Sequence, residues 1–270
     1  MGRRPHLSSN AVPRTDGLGR SVSKEGSMIL RQFLHTDPVA ASYLFGCGGK
    51  GVGVVVDPVG KPDAYLREAE ALGLQIRCVI DTHLHADHLS AGRALAEAAG
   101  APYVLGPGAD VTYHHKETSD GEVLPLGNVE IEVIHTPGHT PEHICLLVCD
   151  RTRGEEPWFA LTGHTLIVGD LGRTELATSA EDGARALFTS VQRLRALPDY
   201  VEVLPGAFSG SVCGRGLSGK PSSTIGFEKR FNVAFRIDDQ DAFVRAMLAD
   251  IPPPPPQAAA IRAANSGRAV

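Results

Sequence analysis

Three histidines and an aspartate lie within six residues of one another, at His83, His85, Asp87 and His88. They directly follow the apolar residues 76–80, which we predict to be a buried strand. A neutral imidazole is the commonest metal ligand in proteins. Histidines two positions apart cannot share one face of a helix, where neighbours are three or four apart, but they can converge from a loop. The spacing therefore predicts a metal-binding loop at the end of a strand.

Two further histidines follow strand-like segments. His139 comes after Thr136-Pro137-Gly138, a turn sequence that fixes its position behind the alternating residues 129–134. His164 lies in the stretch LTGHTL, just after the apolar residues 159–161. We also expect His135 and His143, which flank the His139 turn, to hydrogen-bond behind the ligands.

The pattern H-x-H-x-D-H, together with the elements around His139 and His164, resembles the metallo-β-lactamase superfamily. Within it, the chain is similar to the persulfide dioxygenases, including those fused to a rhodanese domain. The stretches that carry this closer resemblance are residues 28–33 (MILRQF), 55–58 (VVDP), 169–174 (GDLGRT), 210–214 (GSVCG) and 223–226 (STIG). The similarity extends from about residue 28 to about residue 249.

The resemblance implies an α/β (α+β) fold, the αββα metallo-β-lactamase sandwich, in which two mixed β-sheets are flanked by helices. The short strands and helices that interleave along residues 28–248 without a strict βαβ repeat agree with it. The resemblance also implies one Fe(II), with zinc as the alternative, held by His83, His139 and position 164. Asp87 and His85 are the catalytic candidates: Asp87 would act as a base or orient a ligand, and His85 would lie near the metal without binding it. His88 would belong to a second site or support the first.

The activity that the resemblance implies is oxidation of a low-molecular-weight thiol persulfide by dioxygen and water to the thiol and sulfite. Arg173 matches an arginine of this branch and is a candidate for binding a substrate carboxylate. Ser211 and Cys213, in the glycine-rich residues 210–214, are candidates for contact with the thiol end. We expect no nucleic acid or membrane partner, and a homodimer is left open.

Two positions depart from the superfamily pattern. His164 stands where an aspartate is expected, and Ala207 stands where the last histidine of a second metal site is expected. A second metal would thus lose two ligands, which counts against a dinuclear hydrolase of the glyoxalase II kind but does not remove that alternative. A catalytically weakened relative is the third alternative, with His164 pointing away from the metal.

Composition indicates which kinds of partner and which compartment to expect, and which segments should be folded. The formal charge of −5 over 270 residues gives no basic excess for nucleic acid, and 42% hydrophobic with 21% charged residues is usual for a globular protein. The sequence contains no run of 18 or more apolar residues, so it predicts no membrane-spanning helix. The five scattered cysteines lack a C-x-x-C pair, so we expect mostly buried thiols and a cytoplasmic protein. We expect disorder in residues 1–27, a folded domain over residues 28–251, and a disordered proline- and alanine-rich tail over residues 252–270.

Overall fold

Two six-stranded sheets pack face to face between two layers of helices in the computed structural model, which describes residues 28–249, 251 and 253–269. Each sheet contains both parallel and antiparallel pairs, so both are mixed. The predicted αββα sandwich is confirmed. Residues 1–27, predicted to be disordered, lie outside the described residues.

The first sheet has the order β1-β2-β3-β4-β5-β6. Its first three strands form antiparallel pairs, and the pairs from β3 to β6 are parallel. The strands are β1 (Met28–Thr36), β2 (Val39–Cys47), β3 (Val52–Val56), β4 (Gln75–Ile80), β5 (Tyr103–Leu105) and β6 (Lys116–Glu117).

The second sheet has the order β14-β13-β10-β9-β8-β7, in which only β13 and β10 pair in parallel. A separate two-stranded ribbon, β11 with β12, follows β10. The strands are β7 (Val123–Leu126), β8 (Val129–His135), β9 (Ile144–Asp150), β10 (Phe159–Gly163), β11 (Leu166–Ile167), β12 (Asp170–Leu171), β13 (Glu202–Pro205) and β14 (Ser223–Thr224).

The main core lies between the two sheets. Phe45 of β2 meets Phe159 of β10 edge to face, with ring centroids 5.7 Å apart. Every residue of β9 is buried, because this strand has the sheet core on one face and helices on the other. β8 alternates instead, as the period of two in its sequence predicts. This packing makes the strands a rigid support for the loops at their ends.

Helices cover the outer faces. α1 and α2 pack on the first sheet, and α3, α4 and α5 pack on the second. The helices are α1 (Pro62–Ala71), α2 (Gly92–Ala99), α3 (Ala180–Arg195), α4 (Ile225–Phe231), α5 (Gln240–Leu248) and α6 (Ala258–Asn265), with a 3-10 turn at Ala234–Arg236. None of these helices is long and apolar enough to cross a membrane within the part of the chain that is described.

The structure differs from the sequence expectations at two places. The sequence of residues 222–232 predicts a helix, but Ser223 and Thr224 form strand β14 because they pair with β13, and α4 begins only at Ile225. The predicted disordered tail is wrong for residues 258–265, which form α6. Composition did not reveal this helix because polar bonds hold it to the loop after β4, with little contribution from a hydrophobic core.

Candidate metal centre

The candidate site lies where β4, β8 and β10 end. The loops that follow these strands carry His83, His139 and His164, respectively. Gly163, the last residue of β10, has φ +49°, and a Cβ there would come within 2.5 Å of His143 Nε2. Glycine thus lets the backbone turn sharply into His164 while the histidines pack around it.

The three predicted ligands converge. His83, His139 and His164 each place one ring nitrogen within 4.8 Å of the other two. His164 Nδ1 lies 3.3 Å from His139 Nε2, and all three side chains are buried. The structure therefore brings together the set expected for a three-histidine centre, and it does not turn His164 away from the other two.

Hydrogen bonds aim these rings. His139 Nδ1 lies 2.6 Å from the carbonyl oxygen of Arg173, which can only accept, so Nδ1 donates and Nε2 carries the free lone pair. His83 Nδ1 lies 2.9 Å from Thr82 Oγ1, leaving Nε2 directed at the cluster. The backbone N–H of His164 donates to His143 Nε2 at 3.0 Å. Such fixed partners set the tautomer and ring orientation of a ligand.

Burial keeps these rings neutral. Desolvation lowers the pKa of His139 to about 3 and that of His164 to about 4, and it lowers the pKa of His83 well below its usual value. His164 also lowers the pKa of His83 and of His139, because a second positive charge nearby would be repelled. Metals bind the neutral form, so the cluster needs no deprotonation near neutral pH.

The donor set fits a resident metal ion. Nε2 of His83 and Nε2 of His164 are buried and make no hydrogen bond within the protein, a costly arrangement unless another group completes it. Three neutral imidazoles suit Fe(II) and also accept zinc. The residues present thus agree with the expected metal, and they do not by themselves choose between iron and zinc.

His85 faces away from this cluster toward two carboxylates. Its Nε2 lies 3.1 Å from Asp57 Oδ1 and its Nδ1 lies 3.6 Å from Asp87 Oδ1. Burial alone would lower the pKa of His85, but Asp57 and Asp87 raise it well above its usual value. The raised pKa favours an imidazolium between the two acids at neutral pH, and the expectation that His85 lies near the metal without binding it stays a prediction.

Asp87 stands between His85, His88 and His164. Its Oδ1 lies 3.1 Å from His88 Nδ1, and its Oδ2 lies 3.9 Å from His164 Nε2 and has no hydrogen-bond partner. Burial opposes ionisation of Asp87, but its histidine neighbours hold the pKa well below the usual value. Ala207, fully buried, offers no ligand atom where a second metal would need one.

The residues expected to bind substrate have different surroundings. Arg173 is buried; its guanidinium is paired with Glu175 and also donates to the carbonyl of Val212. Its backbone N–H donates to the carbonyl of Cys213, while its own carbonyl accepts from His139. Arg173 thus links His139 to the loop of residues 210–214, and the ion pair with Glu175 occupies the charge that was expected to bind a substrate carboxylate.

The two other candidates of that loop differ in position. Cys213 is buried, and its sulfur lies within 4.8 Å of ligand atoms of Asp87 and His164. Burial raises the pKa of the Cys213 thiol well above its usual value, so it is a neutral thiol here. Ser211 supports the loop by accepting from the backbone N–H of Cys213 at 3.3 Å.

Sequence reasoning missed the residues that brace the ligand loop from behind. Asp57 accepts from the backbone N–H of Thr82 at 2.7 Å and from the Thr82 hydroxyl at 2.9 Å. Its backbone has φ +50°, a conformation that costs energy for a residue other than glycine. The signal available was an acid placed directly after the buried strand β3. Of the two histidines expected to provide support, His143 does so, while His135 bonds the carbonyl of Pro141 at the surface.

Sequence reasoning also missed helix α6, which hydrogen-bonds directly to the ligand loop. The Asn265 side chain donates to the carbonyls of His85 and His88, at 2.9 and 2.8 Å, and accepts from the backbone N–H of Ser90 at 3.0 Å. Arg262, one turn earlier, donates to the carbonyl of Leu84 at 2.9 Å and lies 3.4 Å from Glu142. Every backbone group named here belongs to the loop that carries the metal-ligand motif.

Solved structures share the fold of this chain. A metallo-beta-lactamase from Staphylococcus aureus superposes with a TM-score of 0.83 at 33% identity, covering 89% of this chain and 72% of that one. ETHE1 from Myxococcus xanthus superposes with a TM-score of 0.74 at 29% identity, covering 88% of this chain and 99% of that one.

Sequence comparison reaches the same family. A hydroxyacylglutathione hydrolase from Polaromonas is 32% identical over 168 residues, which are 61% of this chain and 60% of the relative. The chain spans only 44% of the length of another relative, a beta-lactamase hydrolase-like protein from Xylella fastidiosa. The family model described as "Metallo-beta-lactamase superfamily" matches residues 36–206, more than half of the 270 residues. The chain therefore belongs to the metallo-beta-lactamase superfamily.

Proposed function

We propose that this protein is a mononuclear iron persulfide dioxygenase, which uses dioxygen and water to convert a thiol persulfide to the thiol and sulfite. The observation that carries the proposal is the convergence of His83, His139 and His164 with Ala207 at the position of the missing ligand. A three-ligand face leaves coordination positions open for two reactants, as oxygenase chemistry needs. The structural likeness to ETHE1 is compatible with this activity.

The site residues have distinct roles in the proposed reaction. His83, His139 and His164 would hold iron, which when bound would supply the activation of dioxygen and of the persulfide sulfur. Asp87 is a weak base because its pKa is well below the usual value, so we assign it the orientation of the reacting water through its unpartnered Oδ2. His85 keeps that carboxylate in place by ion pairing on its far side. Cys213, a neutral thiol beside Asp87, borders the same space.

A thioester hydrolase is the second candidate, favoured by relatives named hydroxyacylglutathione hydrolase. It would use zinc to make a hydroxide nucleophile at neutral pH. It does better with two metals, and the buried Ala207 removes a ligand from the second position. The same residues could thus serve this chemistry only with a single metal.

Metal analysis combined with oxygen uptake tests the proposal. The protein is expressed in iron- and zinc-supplemented medium, its metals are quantified, and oxygen consumption and sulfite are measured with a freshly prepared persulfide. One iron per chain and one sulfite per dioxygen are expected. Zinc with thioester hydrolysis and no oxygen uptake would favour the hydrolase, and absence of metal would favour the weakened relative.

A further inference from the structure

Four exposed aromatic side chains surround one cavity of about 490 Å³ on the second sheet, termed here the aromatic groove. Each is between 43% and 57% exposed, and together they are all the exposed large aromatic residues in the part of the chain that is described: Trp158, Tyr200, Phe227 and Phe231. Trp158 directly precedes β10, whereas His164 follows the last residue of that strand. The groove and the metal centre therefore lie at opposite ends of β10.

The aromatic groove presents a contiguous apolar surface to solvent. An aromatic side chain buries about 150–250 Å² when it is covered, so four half-exposed rings present about 400 Å². A single apolar patch of this size is often a site of interaction. Phe227 and Phe231 lie side by side on α4, with ring centroids 4.6 Å apart, and still remain half exposed. Tryptophan, tyrosine and phenylalanine are enriched where proteins meet, so the groove has the composition of a protein interface.

One side of the groove is negative. Trp158 and Tyr200 also line a neighbouring cavity of about 560 Å³, so they stand between the two cavities. The carboxylates in the wall of this neighbouring cavity are those of Asp150, Glu155 and Glu156. Its cation, Arg153, lies 3.7 Å from Asp150, which leaves both glutamates without an ion pair among the described residues.

The other side of the groove is positive. Lys220 lines the groove, and its ammonium donates to Ser222 without pairing with a carboxylate of the described chain. Arg230 lies over the ring of Phe231, 5.4 Å from the ring centroid, and is exposed as well. Glu202 is the acid of the groove lining itself and is half-buried. The surface thus carries a negative patch and a positive patch, one on each side of Trp158 and Tyr200.

We propose that the aromatic groove docks a second copy of this chain and forms a dimer about a twofold axis. A twofold axis brings the same surface of both copies together. It places the negative patch of each copy on the positive patch of the other, with the aromatic rings of both copies between them, so one surface complements itself in charge and in apolar character. The rings supply about half of the 800 Å² per partner that a standard interface buries, and the charged rim supplies the rest. The proposal does not depend on the reaction that the metal centre performs.

The native protein provides the first test, because Trp158 is the sole tryptophan of the 270 residues and its fluorescence reports on the groove. Molar mass by light scattering and quenching of Trp158 by acrylamide are measured on the full chain over one dilution series. We expect the mass to rise from 28.6 kDa to twice that value, and the quenching to fall in step with it. A monomer at every concentration would overturn the proposal, and so would a dimer in which Trp158 is quenched as strongly as in the monomer.

A substitution in the groove tests its location. Phe231→Glu places a charge among the aromatic rings and should weaken association by at least about 30-fold, as the loss of a central aromatic contact does. Val123→Glu is the matched control, because Val123 is 49% exposed on β7, at the opposite edge of the same sheet. Both variants should bind Co(II) like the native protein, which shows that they are folded. A dimer that Phe231→Glu leaves intact, or that Val123→Glu weakens equally, would place the interface elsewhere and overturn the proposal.

Exchange of charges tests the pairing of the two patches and needs only exposed side chains. Glu155→Lys and Lys220→Glu each bring like charges together across the twofold axis, so each should weaken the dimer and leave Trp158 more accessible to acrylamide. The double variant restores opposite charges and should dimerise more tightly than either single variant. If the two single effects simply add in the double variant, the patches do not face one another and the twofold arrangement is wrong.

Discussion

The side chain of Asn265 should control how tightly the site binds its metal, although it touches no ligand atom. Its amide makes three hydrogen bonds, all with backbone groups of the loop that carries His83: two carbonyls accept from Nδ2 and one N–H donates to Oδ1. A hydrogen bond contributes about 1 kcal/mol net, so the three together contribute about 3 kcal/mol to the order of this loop. Asn265→Ala removes all three and leaves the backbone groups without their partners.

In that variant the loop should be less ordered before metal arrives, so metal binding must supply the ordering free energy. A penalty of about 3 kcal/mol corresponds to an affinity about 100-fold weaker, since 1.4 kcal/mol is a factor of ten. We expect this as an upper value, because part of the loop stays braced by Asp57 and Glu142. The affinity is measured with Co(II) in competition with a chelator, and the Co(II) visible spectrum reports whether the ligand geometry changes.

Two variants make the result specific. Arg268→Ala removes the contact with the carbonyl of Asp110 near the end of α6 and no bond to the ligand loop, so its Co(II) affinity should equal that of the native protein. Asn265→Asp keeps an acceptor for Ser90 but sets a carboxylate oxygen against the carbonyls of His85 and His88, so it should bind Co(II) at least as weakly as Asn265→Ala. The reasoning is refuted if Asn265→Ala binds Co(II) within a factor of three of native, or if Arg268→Ala weakens binding equally.

Three further predictions follow from the histidine cluster. His83→Ala and His139→Ala should each abolish stoichiometric metal in elemental analysis, because one of three ligands is lost; full occupancy in either variant would contradict the assignment. His164→Asp should keep one metal per chain while His164→Ala should lose it, and a His164→Ala protein that retains metal and oxygen uptake would show that His164 is not a ligand. Metal-free protein should lose stability as pH falls from about 6.5 toward 4, measured as the urea midpoint. Burial lowers the pKa values of His139 and His164 to about 3 and about 4, so in this range only the unfolded chain takes up those protons. The free energy of unfolding should fall by up to about 1.4 kcal/mol per pH unit for each of these histidines. His85, whose raised pKa keeps it protonated in the folded chain, offsets part of this loss only near pH 6.5, where the unfolded chain still takes up its proton, and a constant midpoint would oppose this reasoning.

The motif histidines were predictable because they follow strands whose ends meet at one edge of a sandwich. The loop spacing of His83, the turn before His139 and the strand before His164 are local features, visible without coordinates. The αββα fold was also predictable, since apolar periodicity and the family pattern agree. Local pattern failed for β14, because a two-residue strand is defined by pairing with β13 and not by its own residues.

Tertiary structure alone decided which groups support the histidines and what surrounds them. Asp57 is 25 positions from Thr82, its hydrogen-bond partner, and Asn265 is 180 positions from His85, whose carbonyl it binds. Arg173 matches an arginine expected to bind substrate, yet its guanidinium forms an ion pair with Glu175. Residues 258–265, which composition predicts to be disordered, form α6. The sequence by itself determined the chemistry of the ligands, because their type and local spacing suffice for it. The folded chain determined their protonation, their tautomers and the groups that hold the ligand loop, because these depend on burial and on contacts between distant segments.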